Sequence, residues 1–246
     1  MRQSPSNESH GNTLHKADTR GSAEHGWLSS QHTVSFANYH DPQRMGFGML
    51  RVINDDVVQP GMGFGTHPHR NIEIISIPLM GELRHQDSMG NKQHIKAGEV
   101  QIMSAGTGLT HSEYNGSESE IVNFLQIWVL PKEKNIEPRY DQRLFISNDR
   151  QRGLQNIVSP DPDDDGILIN QDAWFWLRDF EIGQSDSYTV KKPANGIYFF
   201  VLEGAITIAG EQLERRDGLG VEDTSSIDLI ATADCQLLIM DVPMQS

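Results

Sequence analysis

Apolar residues in this chain fall into short runs: HTVSFANY, GMLRVIND, IEIISIPLMG, EVQIMSAG and IVNFLQIWVLP before residue 132, then WFWLRDFEI, GIYFFVLEGAITIAGEQL and CQLLIMDVP. They are rich in Ile, Val and Phe and bounded by Gly, Pro, Asn or Asp. No long stretch repeats apolar residues with the helical period. Many short β-branched and aromatic runs between turn residues predict an all-β chain of the sandwich or barrel type. DSMGN (87–91) has the Gly and Asn of a hairpin turn.

The runs divide into two sets. Residues 1–12 are polar and expected to be a disordered tail, and 13–131 hold the first set of strands. After Pro131 charge and proline dominate, in PKEKNIEPRYDQR and SPDPDDDG, so 132–246 are expected to be a linker followed by a second β domain. The run Asp163, Asp164, Asp165 lacks the spaced ligands and closing Glu of a calcium loop and reads as a solvated turn. Residues 197–218 line up with 74–98: an apolar strand, a Gly, a second strand, a turn and a Gly-containing connection. That shared pattern predicts two related β-barrels.

With 246 residues there is enough chain for two small domains, and a formal charge of −14 argues against direct contact with nucleic acid or an anionic membrane. A lone cysteine, Cys235, leaves no internal disulfide. The polar N-terminus lacks the apolar stretch of a secretion signal, and no apolar run approaches the roughly 20 residues of a membrane helix. A cytoplasmic location is expected, and a monomer.

All ten histidines lie at or before His111. In GFGTHPHRNIE (63–73) His67 and His69 are two positions apart, and in SAGTGLTHSEYN (104–115) His111 and Glu113 are too. Side chains at i and i+2 of a strand share a face. Two such pairs on neighbouring strands would surround one point with three imidazoles and a carboxylate. Such a donor set suits a first-row transition ion and leaves positions for water or substrate. Of the unpaired histidines, His85 is the best candidate to support a ligand from behind.

The run GMGFGTHPHRNIEIISIPLMG resembles the first motif of the cupin superfamily, with Gly, five residues, H-x-H, three residues and Glu. GEVQIMSAGTGLTHSEYN resembles the second. The spellings HPHRNIE, QDSMGN, AGEVQIMSAGTGLTHSE and GWLSSQHTVSFANYHDPQRMGFGMLRVINDD are similar to pirin, and most to the bacterial pirin-like quercetin 2,3-dioxygenases. The similarity runs from about Leu14 to Pro243. It implies a bicupin, two jelly-roll-like β-barrels with metal in the N-terminal one. The implied ligands are His67, His69, His111 and Glu113, and Glu73 is expected behind them. In the second barrel the positions aligned with His67 and His69 fall near Val190 and Lys192, which cannot rebuild the site.

For activity, the resemblance implies ring opening of a flavonol with O2 and release of carbon monoxide. Glu113 then has two roles, metal contact and acceptance of the 3-hydroxyl proton. Phe36, Phe47, Phe64 and Met103 are expected to line a pocket for the small aromatic substrate. Fe(II) is the first expectation for the ion, with Cu, Ni, Mn, Co and Zn also compatible. The resemblance to eukaryotic pirin implies an alternative, a non-enzymatic, iron-dependent redox sensor that docks a partner protein.

Overall fold

A computed structural model describes residues 11–245; of the expected tail, residues 1–10 lie outside the described part. The chain forms two β-sandwiches, each of a seven-stranded and a four-stranded sheet. In the first, the large sheet runs in the order Arg139–Leu144, Glu99–Ser104, Glu73–Met80, Val122–Val129, Leu50–Val58, Leu28–His32, Gly21–Glu24. The small sheet runs Gly63–His69, Leu109–Asn115, Glu82–Asp87, Lys92–Lys96. The expected turn at 87–91 joins the last two, with Gly90 at φ +98° and the Asp87 carboxylate accepting from the Met89 and Asn91 amides. No helix among the described residues is long and apolar enough to cross a membrane.

The second sandwich repeats the plan. Its small sheet orders Ser185–Thr189, Ser226–Ala231, Ala205–Ile208 and Glu211–Glu214 as the first orders its own. Gly81 (φ +77°) and Gly204 (φ +81°), the glycines that align the two halves, mark the point where the chain leaves a large sheet for a small one. A left-handed backbone is needed at that crossing, and glycine adopts it without a Cβ clash.

Sheet membership crosses the boundary expected at 131/132 in both directions. Arg139–Leu144, in the expected linker, adds the edge strand of the first large sheet, while Thr13–His15 pairs with Gly218–Val221 at the edge of the second. Each barrel thus completes itself with a strand from the other side of the expected boundary. His15 Nδ1 meets the Tyr198 hydroxyl at 2.7 Å, fixing the exchanged N-terminal strand.

Apolar runs rather than alternating patterns are what this packing requires, because the central large-sheet strands are buried on both faces. Ile75, Ile77, Leu125 and Ile127 face Tyr198, Phe200, Leu238 and Met240 across the interface between barrels. Their neighbours turn inward: Phe124 and Val122 fill the first barrel, Phe199 and Val201 the second. Polar residues obey the same alternation. Asp55 points to the second barrel, where Arg216 reaches it at 2.8 Å and Arg20 at 3.5 Å, while Asp56 points into the first.

Candidate metal centre and its cavity

His67 and His69 sit on the edge strand of the small sheet, where Pro68 removes no interior ladder bond. The adjacent strand runs antiparallel with His111 opposite His67, and a register shift then sets Glu113 opposite Phe64. Such a bulge re-aims the side chain that follows it. Gly63 lies so close to the Glu113 and Tyr114 backbone that a Cβ would overlap it. The glycine ahead of the H-x-H pair therefore brings the two strands together.

The three imidazoles form a nearly equilateral triangle, with ring centroids 4.8 Å apart for His67–His69, 4.5 Å for His67–His111 and 4.8 Å for His69–His111. His67 donates through Nδ1 to the Gly65 carbonyl at 2.8 Å, so its Nε2 carries a bare lone pair. That Nε2 lies 3.0 Å from His111 Nε2. Two cis ligands about 2.1 Å from an octahedral ion stand about 3 Å apart, so this spacing suits a shared cation. His69 Nε2 is buried with no hydrogen-bond partner. Burial and the neighbouring imidazoles hold His69 down at about 4 and His111 at about 3. Three imidazoles with converging nitrogens, one of them buried without a partner, fit a metal ion. Among the described residues, groups of three or more potential ligands occur only in this barrel. The second barrel's interior is closed by Tyr188, Ile227 and Leu229.

Glu113 borders the triangle, with a carboxylate oxygen within 4.8 Å of nitrogens of His111 and His85. Ser76 Oγ donates to one of its oxygens at 3.2 Å and Gln126 Nε2 to the other at 2.7 Å, while Gln126 Oε1 accepts from Trp128 Nε1 at 3.3 Å. The chain Trp128–Gln126–Glu113–Ser76 locks the carboxylate. His85 lies against His111, centroids 5.4 Å apart, and its Nε2 meets Asp87 at 3.1 Å.

A cavity of about 330 Å³ opens on His67, His69 and Glu113. Phe36 and Phe64 are on its wall, and Trp27 and Trp128 complete it. The rings interlock in pairs, Phe36 with Trp128 and Trp27 with Phe64, each edge-to-face at 5.3 Å, and Trp128 also meets His69 at 5.1 Å.

The other two expected wall residues are elsewhere. Phe47 is buried between the barrels against Tyr198, closing over Gly196 and Gly220, where a Cβ would strike it. Its face of the sheet is covered by the second barrel, and the pocket is on the other. Met103 packs with Ile72, Ile74, Ala105 and Leu109, outside the cavity lining. Glu73 is also not behind the ligands. It accepts from Ser104 Oγ at 2.7 Å and from the Asn170 amide at 3.2 Å, tying the first barrel to the approach to the second. The sequence reading did not identify Trp27, Asp56, Gln126 and Trp128, and one signal was available: Asn54-Asp55-Asp56 interrupts the otherwise apolar strand LRVINDDVV.

Comparison with known proteins follows the same division of the chain. Residues 13–129 match the Pirin family model and 156–242 that of the quercetinase C-terminal cupin domain. The chain is 47% identical over 234 residues, 94% of its length and 98% of the relative's, to the quercetin 2,3-dioxygenase of Escherichia coli K12. It is 40% identical, over 92% of this chain and 97% of the relative, to a putative quercetin 2,3-dioxygenase of Pseudomonas aeruginosa. The crystal structure of the bacterial pirin YhhW from Escherichia coli in complex with nickel(II) superposes with a TM-score of 0.90 at 45% identity, covering 95% of this chain and 99% of that one.

Proposed function

Because the chain belongs to the pirin family, we propose that it is a metal-dependent dioxygenase that opens the ring of a flavonol with O2 and releases carbon monoxide. The observation that carries this reading is the convergence of three imidazoles beside an aromatic cavity that His67 and His69 line, whose volume of about 330 Å³ lies in the range of small-molecule sites. His67, His69, His111 and Glu113 would hold a divalent first-row ion. Fe(II) is the expectation from sequence, and a related pirin in complex with nickel(II) supports a divalent first-row ion. When bound, the ion supplies Lewis acidity toward the substrate oxygen and orients it.

The remaining work falls to the chain's own groups. Trp27, Phe64, Phe36 and Trp128 take up a planar ring system and exclude water from the reacting edge. Glu113 accepts the proton of the 3-hydroxyl, and Ser76 and Gln126 hold its carboxylate in one orientation for that transfer. The cavity also favours catalysis over the partner-docking role, since a redox-sensing surface needs no enclosed aromatic slot.

The test is direct. Metal-loaded protein is mixed with quercetin under argon and then exposed to air, while flavonol absorbance, oxygen consumption and carbon monoxide are followed. Loss of flavonol with stoichiometric carbon monoxide is expected. Absence of both from fully metal-loaded protein, with quercetin bound, refutes the proposal.

A further inference from the structure

A second polar group looks into the cavity from the large sheet. The strands Leu28–His32 and Leu50–Val58 pair with Ser30 opposite Asp56 and His32 opposite Asn54. All four side chains line the cavity, beside the apolar side chains of Leu28, Trp27 and Phe64. Ser30 Oγ donates to Asp56 Oδ1, and His32 Nδ1 donates to Asn54 Oδ1 at 2.9 Å. Among the described residues no protein group hydrogen-bonds Asp56 Oδ2 or Asn54 Nδ2, and these atoms are open to the cavity, on side chains otherwise packed into its wall. Glu113 differs, since Ser76 and Gln126 occupy both of its oxygens.

One acceptor beside one donor, both open to an otherwise apolar cavity wall, is the pair that a hydroxyl satisfies. We infer that Asp56, with Asn54 beside it, anchors a second hydroxyl of the substrate. The site then selects planar aromatics that carry a hydroxyl beyond those facing the histidines. The inference takes the aromatic class of the substrate from the flavonol reading; the anchor itself comes from the geometry of the large-sheet wall. Burial pushes the Asp56 carboxyl up to about 7, so near neutrality it serves a phenol as acceptor when ionised and as donor when protonated.

The probes are quercetin, which has further hydroxyls, and 3-hydroxyflavone, which has only the one next to its carbonyl. Dissociation constants for both are measured under argon, by flavonol absorbance, on metal-loaded wild type, Asp56→Ala and Asp56→Asn, with metal content determined on each sample. The wild type is expected to bind quercetin roughly 10- to 100-fold more tightly than 3-hydroxyflavone, the value of a hydrogen bond to a group that carries charge. Asp56→Ala abolishes most of that ratio. Asp56→Asn, whose amide presents a donor where the open oxygen was, lowers it less.

Equal binding of the two flavonols by the wild type overturns the inference. So does an unchanged ratio in a metal-loaded Asp56→Ala, or in Asp56→Asn if the alanine variant is insoluble. Admission of air then separates the two readings. Intact selectivity without oxygen consumption sinks the dioxygenase and leaves the anchor, whereas turnover without selectivity does the reverse.

Discussion

Replacing Glu113 by Gln separates metal binding from proton transfer. The surroundings dictate how the new amide sits. Gln126 Oε1 accepts from Trp128 Nε1, so Gln126 Nε2 must donate, and the residue at 113 must present its oxygen there, at 2.7 Å. The amide nitrogen then faces Ser76 Oγ, 3.2 Å from the oxygen it replaces, and a hydroxyl can accept as well as donate. Two hydrogen bonds to a carboxylate become two neutral ones, a loss of about 1–3 kcal/mol, while removal of a buried charge recovers a similar amount. The fold should therefore shift by no more than about 2 kcal/mol. The three imidazoles still hold a metal, so a substantial part of it is retained. The amide cannot accept a proton, and turnover falls by ~10²–10⁴, equivalent to about 3–5 kcal/mol in the barrier. Metal analysis, urea unfolding and flavonol-dependent oxygen consumption are measured on one preparation. A metal-loaded Glu113→Gln enzyme with wild-type turnover removes Glu113 as the base. A folded variant that takes up no metal even in excess shows that its role is ligation.

Three further outcomes are expected. His69→Ala loses most of its metal without unfolding, because the core is built from apolar clusters separate from the ligands, and the wild type holds one ion per chain; metal analysis and thermal unfolding check both, and full occupancy in the variant refutes the ligand assignment. His15 is held neutral by burial, its pKa lowered to about 4 from 6.5, so the unfolded chain takes up a proton that the folded chain refuses. Its contribution is complete above pH 6.5 and is lost as pH falls toward 4, by at most roughly 3 kcal/mol; urea unfolding at pH 7.5 and 4.5 should show a smaller acid loss in His15→Gln. Gly63→Ala forces a Cβ into the Glu113–Tyr114 backbone and should cost about 1–3 kcal/mol together with metal, and a variant as stable as wild type would contradict the close approach.

The convergence of His67, His69 and His111 was legible in the sequence because the geometry that unites them is local. A strand has a period of two, so H-x-H and H-x-E each define a face whatever surrounds them, and the turn at 87–91 needs only its own backbone angles. The repeat was legible for the same reason, since Gly81 and Gly204 each impose one crossing between sheets. The fate of a single apolar side chain was not. Phe36, Phe47, Phe64 and Met103 look alike as letters in strand-like runs, yet two line the cavity, one is clamped between barrels and one packs behind the wall. Which face of a strand is covered depends on what packs there from distant sequence, in this case the whole second barrel. The exchanged edge strands have the same character, because pairing of Thr13–His15 with Gly218–Val221 spans nearly the entire chain. Asp56 shows the limit most plainly. Its neighbour Asp55 has the same chemistry, and only the opposite orientation of adjacent strand residues sends one to Arg216 and the other into the cavity. Composition and local period fixed the fold class and the grouping of the histidines; the packing of the two sandwiches decided the pocket.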